Sequence, residues 1–364
     1  MHAASVGDDS TAAEFAPVDM IRGGRRHRGC VRRQSQWNPH RVVLSQWLFG
    51  ALLLLPMHAS LAQEGDAQDL LRRMSAAIRS LSYQGTFVYD HDGQIDALRL
   101  FHEGGDAGER ERLISMSGPR SEVLRDGNSV TFHRAGALGV AFPNQVDARL
   151  LPLVPDTRGS RFSTFYALRT AGEDRVAGYD SHIVDVVPRD TYRYGYRLWL
   201  DHGTSMLLRS AVLDGAGRTL EQFMFVALDL GAKPTESDLA LGRGLGTLSA
   251  PDEIGLDGPP QWRANDLPPG FAFLRALRPA LGPTQTEHHT YTDGIANVSV
   301  YIEPRDPKLP AQSDRVSTRG VLSIYSRSNG AWTITALGDV PRATVQRIVQ
   351  SLQAAPAAAP VRAP

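Results

Sequence analysis

The residue types that most often carry enzyme chemistry occur in this chain, but their spacing does not bring them together. His288 and His289 are the densest histidine pair, yet adjacent residues of a strand point to opposite faces and cannot share a metal ion. The sequence Asp-His-Asp-Gly at 90–93 lacks the alternating oxygen ligands and closing glutamate of a calcium loop, which favours a β-turn. The sequence contains no Gly-x-Ser-x-Gly, His-Glu-x-x-His or Cys-x-x-Cys motif. We therefore expect no catalytic residue, no metal site and no cofactor.

A cluster of three glycines, Gly242, Gly244 and Gly246, could suggest a loop that cradles a phosphate group. Such loops are followed by a Lys-Ser/Thr pair and lie between a strand and a helix, and both features are missing from the pattern. The surrounding stretch, 231–261, has few apolar residues and many glycines and prolines. We therefore predict that 231–261 is a linker.

Aromatic residues recur at alternate positions in two predicted strands, near 83–89 and near 192–197, and alternate positions share one face of a strand. Ordinary core packing explains such a pattern. The functional alternative is a concave apolar face that holds an acyl chain or the hydrophobic side chains of a partner, with two arginines pairing phosphate groups bidentately. The candidate ligand-binding residues are Tyr83, Phe87, Tyr89, Arg193, Tyr194, Tyr196 and Arg197.

One helix and a long series of short strands must position these residues. Leu70, Met74, Ile78 and Leu81 recur on one face and predict a helix at the start of the mature chain. Tight turns containing Gly, Asp or Asn join the strands, which is typical of an antiparallel meander and not of βαβ units. We expect a helix and a long curved antiparallel sheet over 64–230. Its strands are predicted at 83–89, 97–101, 112–116, 122–125, 130–132, 174–177, 182–187, 194–200, 206–213 and 220–228, with an irregular stretch at 137–165.

A smaller second domain is predicted over 262–352. It has a strand at 298–302 and a hairpin of 322–325 and 332–336. A final helix has Asp339 as its cap and Pro341 in its first turn. Its apolar side consists of Val345, Ile348, Val349 and Leu352. The tail 353–364 is rich in Ala and Pro and is predicted to be disordered, and the fold class is mainly β with helices (α+β).

The first 62 residues form a leader that we exclude from the fold. Seven arginines precede an apolar run at 47–55, and a short Ala-Ser-Leu-Ala sequence then offers small residues to a signal peptidase. The run is about half of the roughly 20 residues that span a bilayer, so a secretory signal peptide is favoured over a signal-anchor helix. We expect cleavage between Ala62 and Gln63. Met20 is an alternative start, because the positive region of a signal peptide normally follows the first residues closely.

Composition indicates an exported protein without affinity for nucleic acid. The only cysteine, Cys30, lies in the leader, so the mature chain can form no disulfide. A secreted chain of about 300 residues without cysteine indicates the bacterial periplasm, where a large core replaces covalent links. The chain has 39 basic and 39 acidic residues, of which the leader holds 7 and 4, so the mature part has 32 and 35 and a net charge of −3. That balance gives no general attraction to nucleic acid.

Several strings of residues are similar to those of a known family. In the large domain they are Arg-Val-Ala-Gly-Tyr-Asp at 175–180, Asp-Val-Val-Pro-Arg-Asp at 185–190 and Tyr-Gly-Tyr-Arg-Leu-Trp-Leu-Asp at 194–201. In the small domain they are Leu-Pro-Pro-Gly-Phe at 267–271 and Tyr-Thr-Asp-Gly at 291–294. Their order and spacing resemble the MucB/RseB family of periplasmic sigma-factor regulators over essentially the whole mature chain.

The resemblance implies an N-terminal domain shaped like a lipoprotein carrier (LolA-like), a half-open antiparallel β-barrel with a helix against its concave face, and a smaller α/β C-terminal domain. It implies that the protein binds the periplasmic domain of a single-span anti-sigma factor, shields it from regulated proteolysis and so holds down the sigma-E envelope stress response. Lipopolysaccharide or the acyl chains of mislocalised lipoprotein would release it. A homodimer is left open, and the alternative function is a periplasmic lipid or lipoprotein carrier.

We hypothesise that the partner binds at the cleft between the domains and on an aromatic face of the second domain. A carrier would need only the barrel, so the presence of a second domain favours the regulatory function. The candidate partner-binding residues are Trp262, Phe271, Tyr291 and Tyr301.

Overall fold

The computed structural model describes residues 57–105, 108–127, 129–136, 160–248, 252–280, 283, 285–308 and 313–355. The first 56 residues of the predicted leader lie outside this part of the chain. The backbone of Ala62 and Gln63 lies in the first helix, α1 (Met57–Ser80), and signal-peptide cleavage there stays a prediction. No helix formed by the described residues combines the length and the apolar composition needed to cross a membrane.

The large domain is built on one antiparallel sheet of eleven strands. These are β1 (Tyr83–His91), β2 (Gln94–Glu103), β3 (Arg110–Ser115), β4 (Ser121–Asp126), β5 (Ser129–Arg134), β6 (Tyr166–Val176), β7 (Tyr179–Pro188), β8 (Gly195–Asp201), β9 (Leu207–Leu213), β10 (Thr219–Leu230) and β11 (Gly246–Leu248). Their order is β11-β5-β4-β3-β2-β1-β10-β9-β8-β7-β6, and among the described residues the sheet ends at β6 and β11 without closing. Most neighbours are consecutive in the chain, so the predicted meander is confirmed.

The turn at 90–93 joins β1 to β2. Asp92 and Gly93 both have positive φ angles, of 52° and 72°, which is the geometry of a two-residue hairpin turn that suits the twist of the strands. The prediction of a β-turn here is confirmed.

Helix α1 packs along β6 and covers one face of the sheet, which we call the inner face. Leu70, Met74 and Ile78 are buried there, as the spacing predicts, and Leu81 follows the helix as a half-buried residue. A short helix, α2 (Ser160–Phe165), occupies the end of the predicted irregular stretch, whose earlier part lies outside the described residues. The buried members of this core on the sheet include Tyr83, Phe87, Leu100, Leu113, Leu168, Val184, Val186, Leu198, Leu200, Leu207, Phe223 and Phe225.

The predicted linker is more ordered than its composition indicates. It contains a capped helical turn, α3 (Glu236–Leu239), and then β11, which pairs with β5. A further strand, β12 (Glu253–Gly255), joins the sheet of the second domain. Each half of the segment therefore extends one of the two sheets, and strands of three residues give too weak a local pattern to be predicted.

The small domain packs a helix against a second antiparallel sheet. Its remaining elements are β13 (Trp262–Ala264), β14 (Ala272–Pro279), β15 (Glu287–Thr292), β16 (Asn297–Pro304), β17 (Arg315–Arg319), β18 (Leu322–Asn329), β19 (Trp332–Asp339), α4 (Arg342–Ser351) and β20 (Leu352–Ala354). The sheet order is β12-β14-β15-β16-β19-β18-β17, with β13 and β20 paired separately. Val345, Ile348 and Val349 of α4 are buried as predicted.

Two details at the C-terminal end differ from the prediction. Asp339 does not cap the helix, because it still pairs with Leu322 at the end of β19, and Pro341 occupies the cap position. The tail is ordered for longer than predicted, since Gln353 and Ala354 pair with β13. Residues 356–364 lie outside the described part of the chain.

Candidate functional site

The first predicted aromatic group lies on the inner face but is covered by α1. Tyr83 is fully buried, and its ring stacks on His102 with 4.5 Å between the ring centroids. Phe87 is buried and packs edge-on against Phe223. Only Tyr89 is half-buried. Core packing therefore uses the rings of Tyr83 and Phe87 and leaves no open surface at these two residues, and their part in ligand binding stays a prediction.

The inner face becomes accessible toward the edge of the sheet formed by β5 and β11. Leu113, Val123, Phe132 and Leu248 lie side by side on four neighbouring strands. Leu113 is buried, whereas Val123, Phe132 and Leu248 are half-buried. We call Val123, Phe132 and Leu248 the open row. It is an apolar surface that the helix does not seal.

A buried ion pair lies on the same face as the open row. The carboxylate of Glu111 contacts Nε of Arg125 at 3.2 Å, and both side chains are at most 10% exposed. The two residues are directly opposite each other on β3 and β4, two positions from the Leu113–Val123 pair. The inner face thus places apolar and charged groups next to each other at its accessible end.

The second predicted aromatic group does not share one strand face. Strand β8 begins at Gly195, so Tyr194 precedes it in irregular backbone and only Tyr196 lies on the strand. Tyr196 packs against the core of the inner face. Arg197, one residue further, points to the other face, where its Nε and Nη2 atoms donate to Asp185 at 2.7 and 3.0 Å. Arg197 is thus paired with a carboxylate and does not flank the predicted acyl-chain surface.

Arg193 lies at the junction of the two domains, where its side chain is 0% exposed. Nε donates to Oδ2 of Asp293 at 2.7 Å, Nη1 donates to Asp190, and Nη2 donates to the carbonyl oxygen of Pro269. The tyrosine hydroxyl of Tyr166 also donates to Oδ2 of Asp293, at 3.1 Å. Two protein carboxylates already pair with Arg193 in this structure, so this geometry does not support phosphate binding by Arg193, which stays a prediction.

Aromatic rings complete the packing around Arg193. Its guanidinium carbon lies 4.4 Å from the ring centroid of Phe165 and 5.1 Å from that of Phe271. Gly270 has a positive φ angle of 83°, and a Cβ atom there would approach the Phe165 ring to 2.4 Å. The loop before β14 therefore needs glycine to reach the large domain. We call Arg193, Asp190, Asp293, Tyr166 and Phe271 the domain junction.

A second set of contacts joins the domains around Tyr192. Its carbonyl oxygen accepts from the hydroxyl of Thr344 at 2.7 Å, and its own hydroxyl accepts from Arg347 at 2.6 Å. At another point, Arg319 donates to Asp92 at 2.7 Å across the domain boundary. Polar contacts at separate points thus hold the relative position of the two domains.

Three of the four predicted partner-binding residues belong to the core of the small domain. Trp262, Phe271 and Tyr291 are at most 6% exposed and belong to the same hydrophobic cluster. Tyr301 is half-buried on the opposite sheet face, where its ring stacks on His288. The four residues therefore do not share one exposed face, because a small domain uses most of its aromatic residues in its own core, and their part in partner binding stays a prediction.

The histidine pair and the glycine cluster have structural partners. His288 bonds Glu253 and His289 bonds Glu287, each at 2.7 Å, and they lie on opposite faces as predicted. The backbone amide of Gly242 donates to the carboxylate of Glu122 at 3.0 Å. This amide of the glycine cluster therefore already donates its hydrogen bond to a carboxylate of the protein itself.

Sequence reasoning missed the two carboxylates of the domain junction. Asp190 and Asp293 both lie in turns, and Oδ1 of Asp293 accepts from the backbone amides of Ile295 and Ala296 at 2.9 Å. An aspartate in a turn whose side chain accepts from nearby backbone amides is typical of an ordinary Asx turn. No local signal shows that Oδ2 of Asp293 meets an arginine one hundred positions earlier in the chain.

Comparisons with known proteins agree in both domains. The family model described as the MucB/RseB N-terminal domain matches residues 66–241, and the model of the MucB/RseB C-terminal domain matches residues 257–353. The sigma factor AlgU regulatory protein MucB of Pseudomonas aeruginosa is 35% identical over 313 residues, which cover 84% of this chain and 95% of that protein. The sigma-E factor regulatory protein RseB of Escherichia coli K12 is 29% identical over 306 residues, 83% of this chain and 94% of that protein.

Solved structures support the same relationship. The complex structure of Pseudomonas aeruginosa MucA and MucB contains a chain that is 32% identical and superposes with a TM-score of 0.67, covering 80% of this chain and 100% of that one. A crystal structure of MucB with the periplasmic part of MucA gives a TM-score of 0.64 at the same identity and coverage. With two domain models matched in order and this similarity along the whole described chain, the protein belongs to the MucB/RseB family.

Proposed function

We propose that this protein is a periplasmic binding protein that regulates a sigma factor by holding the periplasmic segment of a single-span anti-sigma factor. The observation that carries the proposal is the similarity of both domains, at 32% identity, to MucB solved together with periplasmic MucA. The relatives named above are regulatory proteins. We propose binding without catalysis, and the net charge of −3 gives no reason to expect a nucleic-acid partner.

The domain junction supports recognition by a surface that spans both domains. A partner that contacts two domains binds tightly only if they are already correctly oriented, since fixing them during binding would cost free energy. Buried Arg193 and the contacts of Tyr192 supply that preorganisation. We propose that the anti-sigma segment lies across the exposed residues beside the junction. Trp262 and Tyr291 would then act by keeping the small domain folded, and Phe271 by packing both in that core and against Arg193 at the junction.

Shielding from proteolysis follows from such binding. A protease must bind an extended stretch of its substrate, and a segment held on another protein is not available to it. If an amphiphile binds only the partner-free form, it weakens the complex by its differential affinity, and a tenfold shift requires about 1.4 kcal/mol. We propose that lipopolysaccharide or lipoprotein acyl chains release the partner in this way.

The open row is the proposed site of the amphiphile. Val123, Phe132 and Leu248 offer half-buried apolar surface at the edge of the inner face, and Arg125 lies on the same face. An acyl chain there would extend the core between α1 and the sheet without displacing Tyr83 or Phe87. Apolar burial would supply the affinity.

A charge in the open row should prevent amphiphile binding. We expect Phe132→Asp to abolish release of the anti-sigma segment by lipopolysaccharide and to leave the affinity for that segment unchanged, because a carboxylate opposes burial of an acyl chain. Val226→Asp, at an exposed position of β10, is the matched control. Release of a fluorescent anti-sigma peptide measures the effect, and equal release from both variants would show that the open row does not bind the amphiphile.

A periplasmic lipid or lipoprotein carrier is the alternative function, since it could use the same inner face. The two functions are separated by a pull-down from membrane extract with the mature chain, followed by identification of the captured proteins. We expect a single-span membrane protein that itself binds a sigma factor. Capture of lipoproteins alone, with no such membrane protein, would favour the carrier.

A further inference from the structure

We propose that Glu173, His182 and His202 form a binding site for a divalent transition metal of the zinc class. One carboxylate oxygen of Glu173 lies 3.9 Å from Nδ1 of His182 and 3.6 Å from Nε2 of His202. One ligand atom from each of the three residues can be chosen so that all lie within 4.8 Å of one another. Neither the sigma-factor function nor the family comparison uses these residues.

The distances are close to those of a bound ion. Four nitrogen or oxygen ligands at about 2.0–2.2 Å from tetrahedral zinc are about 3.3–3.6 Å apart. The cluster therefore needs only small side-chain rotations to close around an ion. Two imidazoles and one carboxylate suit zinc, copper or nickel and are a poor set for calcium or magnesium, which prefer oxygen alone.

Regular backbone holds the three residues in place. Glu173 on β6 and His182 on β7 are directly opposite each other in the sheet. His202 follows β8 in a tight turn, where its amide donates to the carbonyl oxygen of Asp180 at 3.0 Å. The side chain of Asp201 fixes this turn by accepting from the amide and hydroxyl of Thr204, both at 2.7 Å. A site built on strands and a fixed turn loses little entropy when the ion binds.

The side chains are accessible and arranged for a cation. Glu173 is 70% exposed and the two histidines are 37% and 38% exposed, so an ion can enter and keep water at a fourth position. The imidazole rings are stacked, with 3.9 Å between their centroids and 25° between their planes. Arg73, the nearby cation of α1, is paired with Asp69 at 3.2 Å.

An ion at this position would join three segments at one edge of the large sheet. It would link the edge strand β6 to β7 and to the turn after β8, next to the surface on which α1 packs. We infer that the metal stabilises this edge of the large domain.

Calorimetric titration of the mature chain with zinc chloride tests the site, after removal of any affinity tag and of bound metal with a chelator. We expect one zinc ion per chain, and a rise of the melting midpoint by about 5 °C when free zinc is a hundred times its Kd. His182→Gln and His202→Gln should each weaken binding about tenfold or more. His91→Gln is the matched control, since His91 also pairs with one carboxylate, that of Asp96, at 3.0 Å, and it should bind like the unchanged chain.

Cobalt gives an independent readout of the ligands. Intense visible absorption bands on cobalt binding, lost in His182→Gln, would identify nitrogen ligands in a tetrahedral arrangement. Absence of saturable zinc binding below millimolar metal would overturn the proposal. Stoichiometric binding that survives in the double variant His182→Gln/His202→Gln would equally overturn it, and circular dichroism of each metal-free variant confirms that it is folded.

Discussion

Arg193→Met is expected to lower the free energy of unfolding by about 3–5 kcal/mol, because it leaves the buried carboxylate of Asp293 without its charged partner at the domain junction. Asp293 is 1% exposed and would lose its arginine partner, while Phe165 and Phe271 would keep an apolar neighbour of similar length. Chemical denaturation followed by circular dichroism measures the loss. We also expect the unfolding transitions of the two domains to separate in calorimetry.

The surface pair of Arg218 and Asp214 provides the control for this variant. Arg218 is 79% exposed, and an exposed ion pair contributes at most about 1 kcal/mol, so Arg218→Met should change stability little. Adding Asp293→Asn to Arg193→Met should restore part of the loss, because the stranded charge is then gone. Equal losses for Arg193→Met and Arg218→Met would show that the junction is not a buried ionic contact.

Trp262→Ala should destabilise the small domain by about 3–5 kcal/mol, the usual cost of removing a buried Trp side chain. Trp262 lies on β13, packs edge-on against Trp332 with 5.5 Å between the ring centroids, and pairs with Ala354 of the last strand. Without this packing, the pairing of β13 with β20, near the two chain ends of the small domain, should weaken. Thermal unfolding followed by near-ultraviolet circular dichroism, which reports on Trp packing, measures the change.

The outcome also separates two roles for Trp262. Leu274→Ala, at an exposed position of β14, is the control and should change stability by no more than about 0.5 kcal/mol. If Trp262→Ala kept full stability and lost affinity for the anti-sigma segment, Trp262 would be a contact residue as the sequence suggested. We expect the reverse, with weaker binding only under conditions in which the variant is partly unfolded.

The sequence predicted those features that depend on local periodicity. The spacing of Leu70, Met74 and Ile78 placed α1 against the sheet, and Asp92–Gly93 identified a hairpin turn. The same reasoning failed at Tyr194, where alternation imitates a strand although the residue lies in irregular backbone before β8. Arg193, the residue before Tyr194, bonds Asp293 one hundred positions later in the chain, and no local pattern contains that contact.

The candidate sites depended on burial and on long-range contacts, which a single sequence does not reveal. Trp and Tyr residues occur both on protein surfaces and in cores. The sequence alone does not show that Trp262 and Tyr291 are buried in one core with the apolar residues of α4. Glu173, His182 and His202 lie on separate segments that sheet pairing brings together. The regulatory function could be predicted because the resemblance to a family extended over both domains.

Titration calorimetry of the mature chain with the periplasmic segment of the membrane anti-sigma protein measures whether the two bind. We expect saturable binding of one segment per chain, with a micromolar or tighter Kd, and weaker binding by Arg193→Met because its domains are no longer held in place. Absence of binding by the folded, unchanged chain would show that the protein does not hold an anti-sigma segment.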